Sequence, residues 1–94
     1  MQYDVKAAYQ AGADGVMVEA RTRIKGVFYS VSTVGTALIF YDNASEDFSG
    51  TPVLTLPADV VGQHTVDIPG EGILCDNGVF VDINGGAAVT LFHG

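Results

Sequence analysis

Thr22-Arg23-Ile24-Lys25-Gly26-Val27-Phe28-Tyr29-Ser30-Val31 is the stretch on which the fold turns. β-Branched and aromatic residues dominate it, the composition of a pleated, half-buried strand rather than a helix. With a period of two, Ile24, Gly26, Phe28 and Ser30 fall on one face, and Arg23, Lys25, Val27, Tyr29 and Val31 on the other. The first half is amphipathic and the second is apolar on both sides. A strand that starts at a sheet margin and ends inside a core has this pattern.

On either side of this stretch, glycine cuts the chain into short segments of the same kind. Residues 37–41 follow Thr33-Val34-Gly35-Thr36, which suggests a hairpin. Residues 42–50 carry Asp42, Asn43, Ser45, Glu46, Asp47 and Ser49, a loop by composition. A strand at 53–56 is closed by Pro57, and 64–68 alternates His64, Val66 and Ile68 against Thr65 and Asp67. Pro69-Gly70-Glu71-Gly72 is a tight turn, with Pro fixing φ and Gly supplying positive φ. Strands at 73–75 and 79–83 flank Asp76-Asn77-Gly78, a strong hairpin signal, and Asn84-Gly85-Gly86 predicts another hairpin before a last strand at 88–93.

The expected fold is therefore all-β: a single-domain β-sandwich or jelly-roll-like domain of about seven or eight strands with an N-terminal arm. The arm or short strand covers residues 1–20 and the sandwich 21–94. Residues 3–10 suit either a short helix ending at Gly12 or an extended arm leading into a strand at 16–20. A helix this short is marginal in water, so the extended form with strand character is favoured.

Charge is distributed unevenly. The four cations, Lys6, Arg21, Arg23 and Lys25, precede Gly26, and the chain beyond holds acids but no Lys or Arg; the net charge is −7. Arg21, Arg23 and Lys25 are two apart and would share one strand face, a stripe that could meet acidic groups on a neighbour or could lie in solvent. Charged residues make up 16% of the chain, against about 25% in an ordinary domain, so part of the surface must be apolar. Such a surface favours permanent contact, and a homo-oligomer such as a trimer is expected. With so few cations, nucleic acid is not an expected partner. The apolar runs are too short for a membrane helix and no export signal is visible, so a soluble protein is expected.

Catalytic patterns are sparse. Ser30, Ser32, Ser45 and Ser49 lack a nucleophile elbow, and His64 and His93 lie on separate strands without metal-ligand spacing. Neither an enzyme nor a cofactor is expected. The loop at 42–47 lacks the calcium-loop pattern, which leaves only an irregular site open there. Cys75, the sole cysteine, is expected to be a small buried hydrophobe. Of the aromatics, Phe28, Tyr29, Phe40, Tyr41, Phe80 and Phe92 are expected to fill the core, and Tyr3, Tyr9 and Phe48 to be peripheral.

Arg21-Thr22-Arg23-Ile24-Lys25-Gly26-Val27-Phe28-Tyr29, Ile68-Pro69-Gly70-Glu71-Gly72-Ile73-Leu74, Asn77-Gly78-Val79-Phe80-Val81-Asp82-Ile83 and Ala88-Val89-Thr90-Leu91-Phe92-His93-Gly94 together resemble a group of small structural proteins of marine tailed bacteriophages. The likeness starts near Arg21. His93, where the group has an aromatic before the final Gly, and the acidic loop at 42–47 depart from it. The resemblance implies a virus particle, assembled in the host cytoplasm, with the major capsid protein or other virion subunits as partners. A capsid decoration or cement subunit is the expected role. Arg21, Arg23, Lys25, Tyr3 and Tyr9 are the expected interface residues. A tail or fibre module recognising a host-surface glycan is the alternative.

Overall fold

The structure is a computed structural model and describes residues 6–35, 37–45, 52–83 and 86–94. Among the described residues nine strands run in chain order: β1 (Lys6–Ala11), β2 (Gly15–Val18), β3 (Thr22–Thr33), β4 (Ala37–Tyr41), β5 (Pro52–Pro57), β6 (Gly62–Asp67), β7 (Ile73–Cys75), β8 (Val79–Ile83) and β9 (Gly86–His93). They form two antiparallel sheets packed as a sandwich. One holds β1-β9-β3-β6 with β7 also paired to β3, and the other holds β2-β8-β4-β5. The all-β class and the sandwich agree with the sequence reading.

Residues 6–11, where helix and extended chain were the alternatives, form a strand at the margin of the five-stranded sheet, and β2 forms the margin of the other. Both are paired along their length, β1 with β9 and β2 with β8. Docking onto β9 supplies the partners that an isolated helix there would lack.

Three expected hairpins are instead crossings between the sheets. β3 and β4, β7 and β8, and β8 and β9 are each divided between the two sheets. At Asp76-Asn77-Gly78 the reason is visible: Asp42 Oδ1 and Oδ2 accept the backbone N–H groups of Asp76 (3.1 Å), Asn77 (2.8 Å) and Gly78 (3.4 Å). Those donors are satisfied by a carboxylate at the end of β4 rather than by a paired strand. Gly78 has φ +151°, and a Cβ there would collide with the Val18 carbonyl oxygen. The expected turn at 69–72 is present and joins β6 to β7, which lie end to end along one side of β3.

The expected facing of β3 is corrected as well. A bulge between Ile24 and Gly26 in the pairing with β9 makes Lys25 an extra residue and advances the alternation by one. Ile24 therefore shares the core with Val27, Tyr29 and Val31, while Phe28 and Ser30 face outward. The core lies between Ile24, Val27, Tyr29, Val31, Val89 and Leu91 of one sheet and Leu38, Phe40, Leu56, Val79, Val81 and Ile83 of the other. Each such side chain, fully buried, contributes roughly 1.5–3 kcal/mol. Tyr29 reaches across the layer, donating its hydroxyl to the Pro57 carbonyl at 2.9 Å.

Candidate functional site

The outer face of the five-stranded sheet is assembled from three registers. Tyr9 lies opposite Thr90, Thr90 opposite Phe28, and Phe28 opposite Thr65. One row along stand Ala7, Phe92, Gly26 and Asp67, and on the other side Ala11, Ala88, Ser30 and Gln63. Phe92 is thus a diagonal neighbour of both Tyr9 and Phe28, within reach for aromatic side chains. At Gly26 the close approach is to the β6 backbone: a Cβ there would stand 3.2 Å from the Val66 carbonyl oxygen, and at an ordinary contact distance of 3.8 Å from Phe92 Cδ2.

The rings of this cluster are accessible: Tyr9 is 67% exposed, Phe28 37% and Phe92 38%. Phe28 and Phe92 were expected in the core. The bulge places Phe28 outside, and Phe92 follows because it alternates with the buried Leu91. A strict period of two does not register the bulge; Gly26 inside a strand is the signal that marks such a break.

Of the expected interface residues, Arg23, Lys25 and Tyr9 belong to this sheet, with Arg23 and Lys25 half-buried between the buried Thr22, Ile24 and Gly26. They stand at the end of the aromatic face nearest Gly94, whose backbone N–H and C=O both pair with Arg23 (3.1 and 3.2 Å). Arg21 is separate. It precedes β3 and its Nε lies 3.5 Å from Asp76 Oδ1, with both side chains about two-thirds exposed. Such an exposed pair contributes little to stability. Tyr3 and Phe48 lie outside the described residues, as do Glu46 and Asp47 of the acidic loop.

Arg21 instead joins Lys6, Thr22 and His93 around a recess of about 200 Å³ at one end of the sandwich, completed by Val18, Ala20 and Gly94. Thr22 Oγ1 and His93 Nδ1 are 3.1 Å apart. Burial, and then the nearby Lys6 charge, push the His93 pKa below its usual value. No short motif links positions 6, 21 and 93; pairing of β1 with β9 and of β9 with β3 brings them together.

The remaining polar groups serve the scaffold. His64 stacks on Tyr29 with ring centres 4.9 Å apart, and its Nε2 lies 3.1 Å from the Val60 carbonyl oxygen. Asp14 Oδ1 accepts the Ile83 N–H at 2.8 Å, tying the β1–β2 turn to β8. Burial, a hydrogen bond with Asp14 and the Asp14 charge hold Asp82 above the ordinary carboxyl range. Cys75 is fully buried, and burial together with Asp42 and Asp76 pushes its thiol up to about 11, so it is no nucleophile at neutral pH. Among the described residues no group of three or more His, Cys, Asp or Glu side chains is placed to hold a metal ion.

No family model, curated protein or solved structure matches the chain.

Proposed function

We propose that the protein is a virion structural subunit, a capsid decoration or cement protein that docks on neighbouring capsid subunits through the outer face of its five-stranded sheet. The observation that carries this reading is the accessible Tyr9, Phe28 and Phe92 cluster on an almost uncharged sheet face bordered by Arg23 and Lys25. Exposed aromatics of this kind are the usual anchors of protein interfaces, and they bury large area for little side-chain entropy. The molecule measures 39 × 29 × 18 Å, so its broad side is of the order of the roughly 800 Å² per partner of a standard interface. Arg23 and Lys25 select a partner whose matching apolar patch is edged by carboxylates, fixing orientation more than affinity. The particle setting rests on the sequence resemblance.

The test is incorporation. The Arg23→Glu/Lys25→Glu double variant should fold as the parent does, by circular dichroism and thermal melting, yet be absent from purified particles. Normal incorporation of that folded variant defeats the proposal. A glycan-binding module at the tail or fibre is the second reading, favoured by the same three rings, which offer a stacking platform beside Thr90, Thr65 and Ser30. Labelled protein over the whole shell supports the capsid role; label confined to one vertex or to fibres supports the second.

A further inference from the structure

We infer that the recess lined by Lys6, Arg21, Thr22 and His93 is a binding site for a single oxyanion group, a carboxylate or a phosphate. The inference does not depend on the docking role of the sheet face. The recess gathers three of the chain's side chains that can carry positive charge, yet among the described residues no Asp or Glu lines it. In a protein of net charge −7 that local sign is the reverse of the whole. Lys6 and His93 are also direct cross-strand partners in the β1–β9 register. At a pH where His93 is protonated the two like charges are destabilising, and an anion between them removes the repulsion.

The chemistry of the walls narrows the ligand. Lys6 supplies a mobile point charge, Arg21 a planar donor fork, and the buried Thr22 hydroxyl a neutral donor beside the His93 ring. A volume of about 200 Å³ accommodates one oxyanion and its bridging water but not a nucleotide. Val18 and Ala20 form an apolar wall, which suits a carboxylate carried on a short aliphatic stem. Among the described residues, the acid paired with this set is Asp76, whose Oδ1 lies 3.5 Å from the Nε of Arg21.

Protonation follows from the same geometry. Lys6 and Arg21 face His93 as cations and Thr22 as a neutral partner, so the imidazole is neutral near pH 7 and gains its proton more readily once an anion is present. Binding should strengthen as pH falls, and the His93 pKa should rise on binding.

The oxyanion can arrive as a free ion or on an acidic side chain of another protein, and a titration on the isolated full chain distinguishes these sources. Backbone amide and His ring NMR shifts would be followed with sodium phosphate, with N-acetyl-aspartate amide, and with sodium chloride at equal ionic strength. Saturable shifts confined to Lys6, residues 18–22 and His93, with an upward move of the His93 pKa, are expected. Saturation by phosphate alone assigns a free ion, and saturation by the aspartate derivative assigns a protein carboxylate. Lys6→Gln should weaken binding by about fivefold without changing the amide spectrum elsewhere, the loss appropriate to one partly exposed charge. Shifts equal to those with chloride, or a His93 pKa that does not move, would overturn the assignment. Undiminished binding by Lys6→Gln would do so as well.

Discussion

The two outer faces of the sandwich carry the same kind of side chain and treat it in opposite ways. On the five-stranded sheet, Tyr9, Phe28 and Phe92 stand accessible. On the four-stranded sheet, Tyr41 and Phe80 are cross-strand partners that alternate with core residues and so also point away from the core, yet Phe80 is 0% and Tyr41 7% exposed, with ring centres 5.8 Å apart. An outward aromatic on a strand is therefore not in itself a docking feature in this molecule. What distinguishes the two faces is cover: one pair of rings is removed from water, and the other cluster is open to it.

Truncating one ring from each face and measuring urea unfolding tests whether the faces differ in this way. Phe80→Ala should cost about 3–5 kcal/mol, as for a fully buried aromatic, while Phe92→Ala should cost about 1 kcal/mol. Equal losses would show that the two faces are not different in kind. A smaller contrast should appear between two aspartates. Asp42→Ala strips an acceptor from the N–H groups of Asp76, Asn77 and Gly78 and should cost roughly 2 kcal/mol, whereas Asp67→Ala, on the margin of the open face, should stay within about 0.5 kcal/mol of the parent.

The smallest effect has the opposite sign. Because the folded state raises the Asp82 pKa, the fold holds this proton more tightly than the unfolded chain does. Its contribution is fully favourable below the unfolded value near 3.8 and is lost as pH rises through the higher folded value. Asp82→Asn, which keeps a donor for Asp14, should therefore raise the melting temperature at pH 7. The gain should be under about 1 kcal/mol, since solvent screens the pair, and should vanish in melts at pH 4 and below. A variant less stable than the parent at pH 7 would show that the Asp14 contact depends on charge instead.

Local chemistry was legible in the sequence and pairing was not. The bounds of β4, β7 and β8 coincide with the expected segments, because each is a short apolar run stopped by Gly, Asp or Asn. The turn at 69–72 was also legible, with Gly70 at φ +69° and Gly72 at φ +88°. Turn residues, however, record only that the chain bends. Whether the next strand stays in the sheet or crosses to the other is decided by which face each strand must bury, and by distant partners such as Asp42. For the same reason the basic stripe was half legible: Arg23 and Lys25 stay on β3, but Arg21 belongs with Lys6 and His93, a grouping created by pairing across the whole length of the chain.

In the five-stranded sheet, β9 lies between β1 and β3. β1 and β3 lie far before β9 in the chain and have no ladder to one another, so the edge each turns toward the other stays unpaired until β9 inserts between them. Non-local closure of this sort is slow. Any change that weakens β9 therefore opens two ladders of this sheet at once rather than trimming its rim.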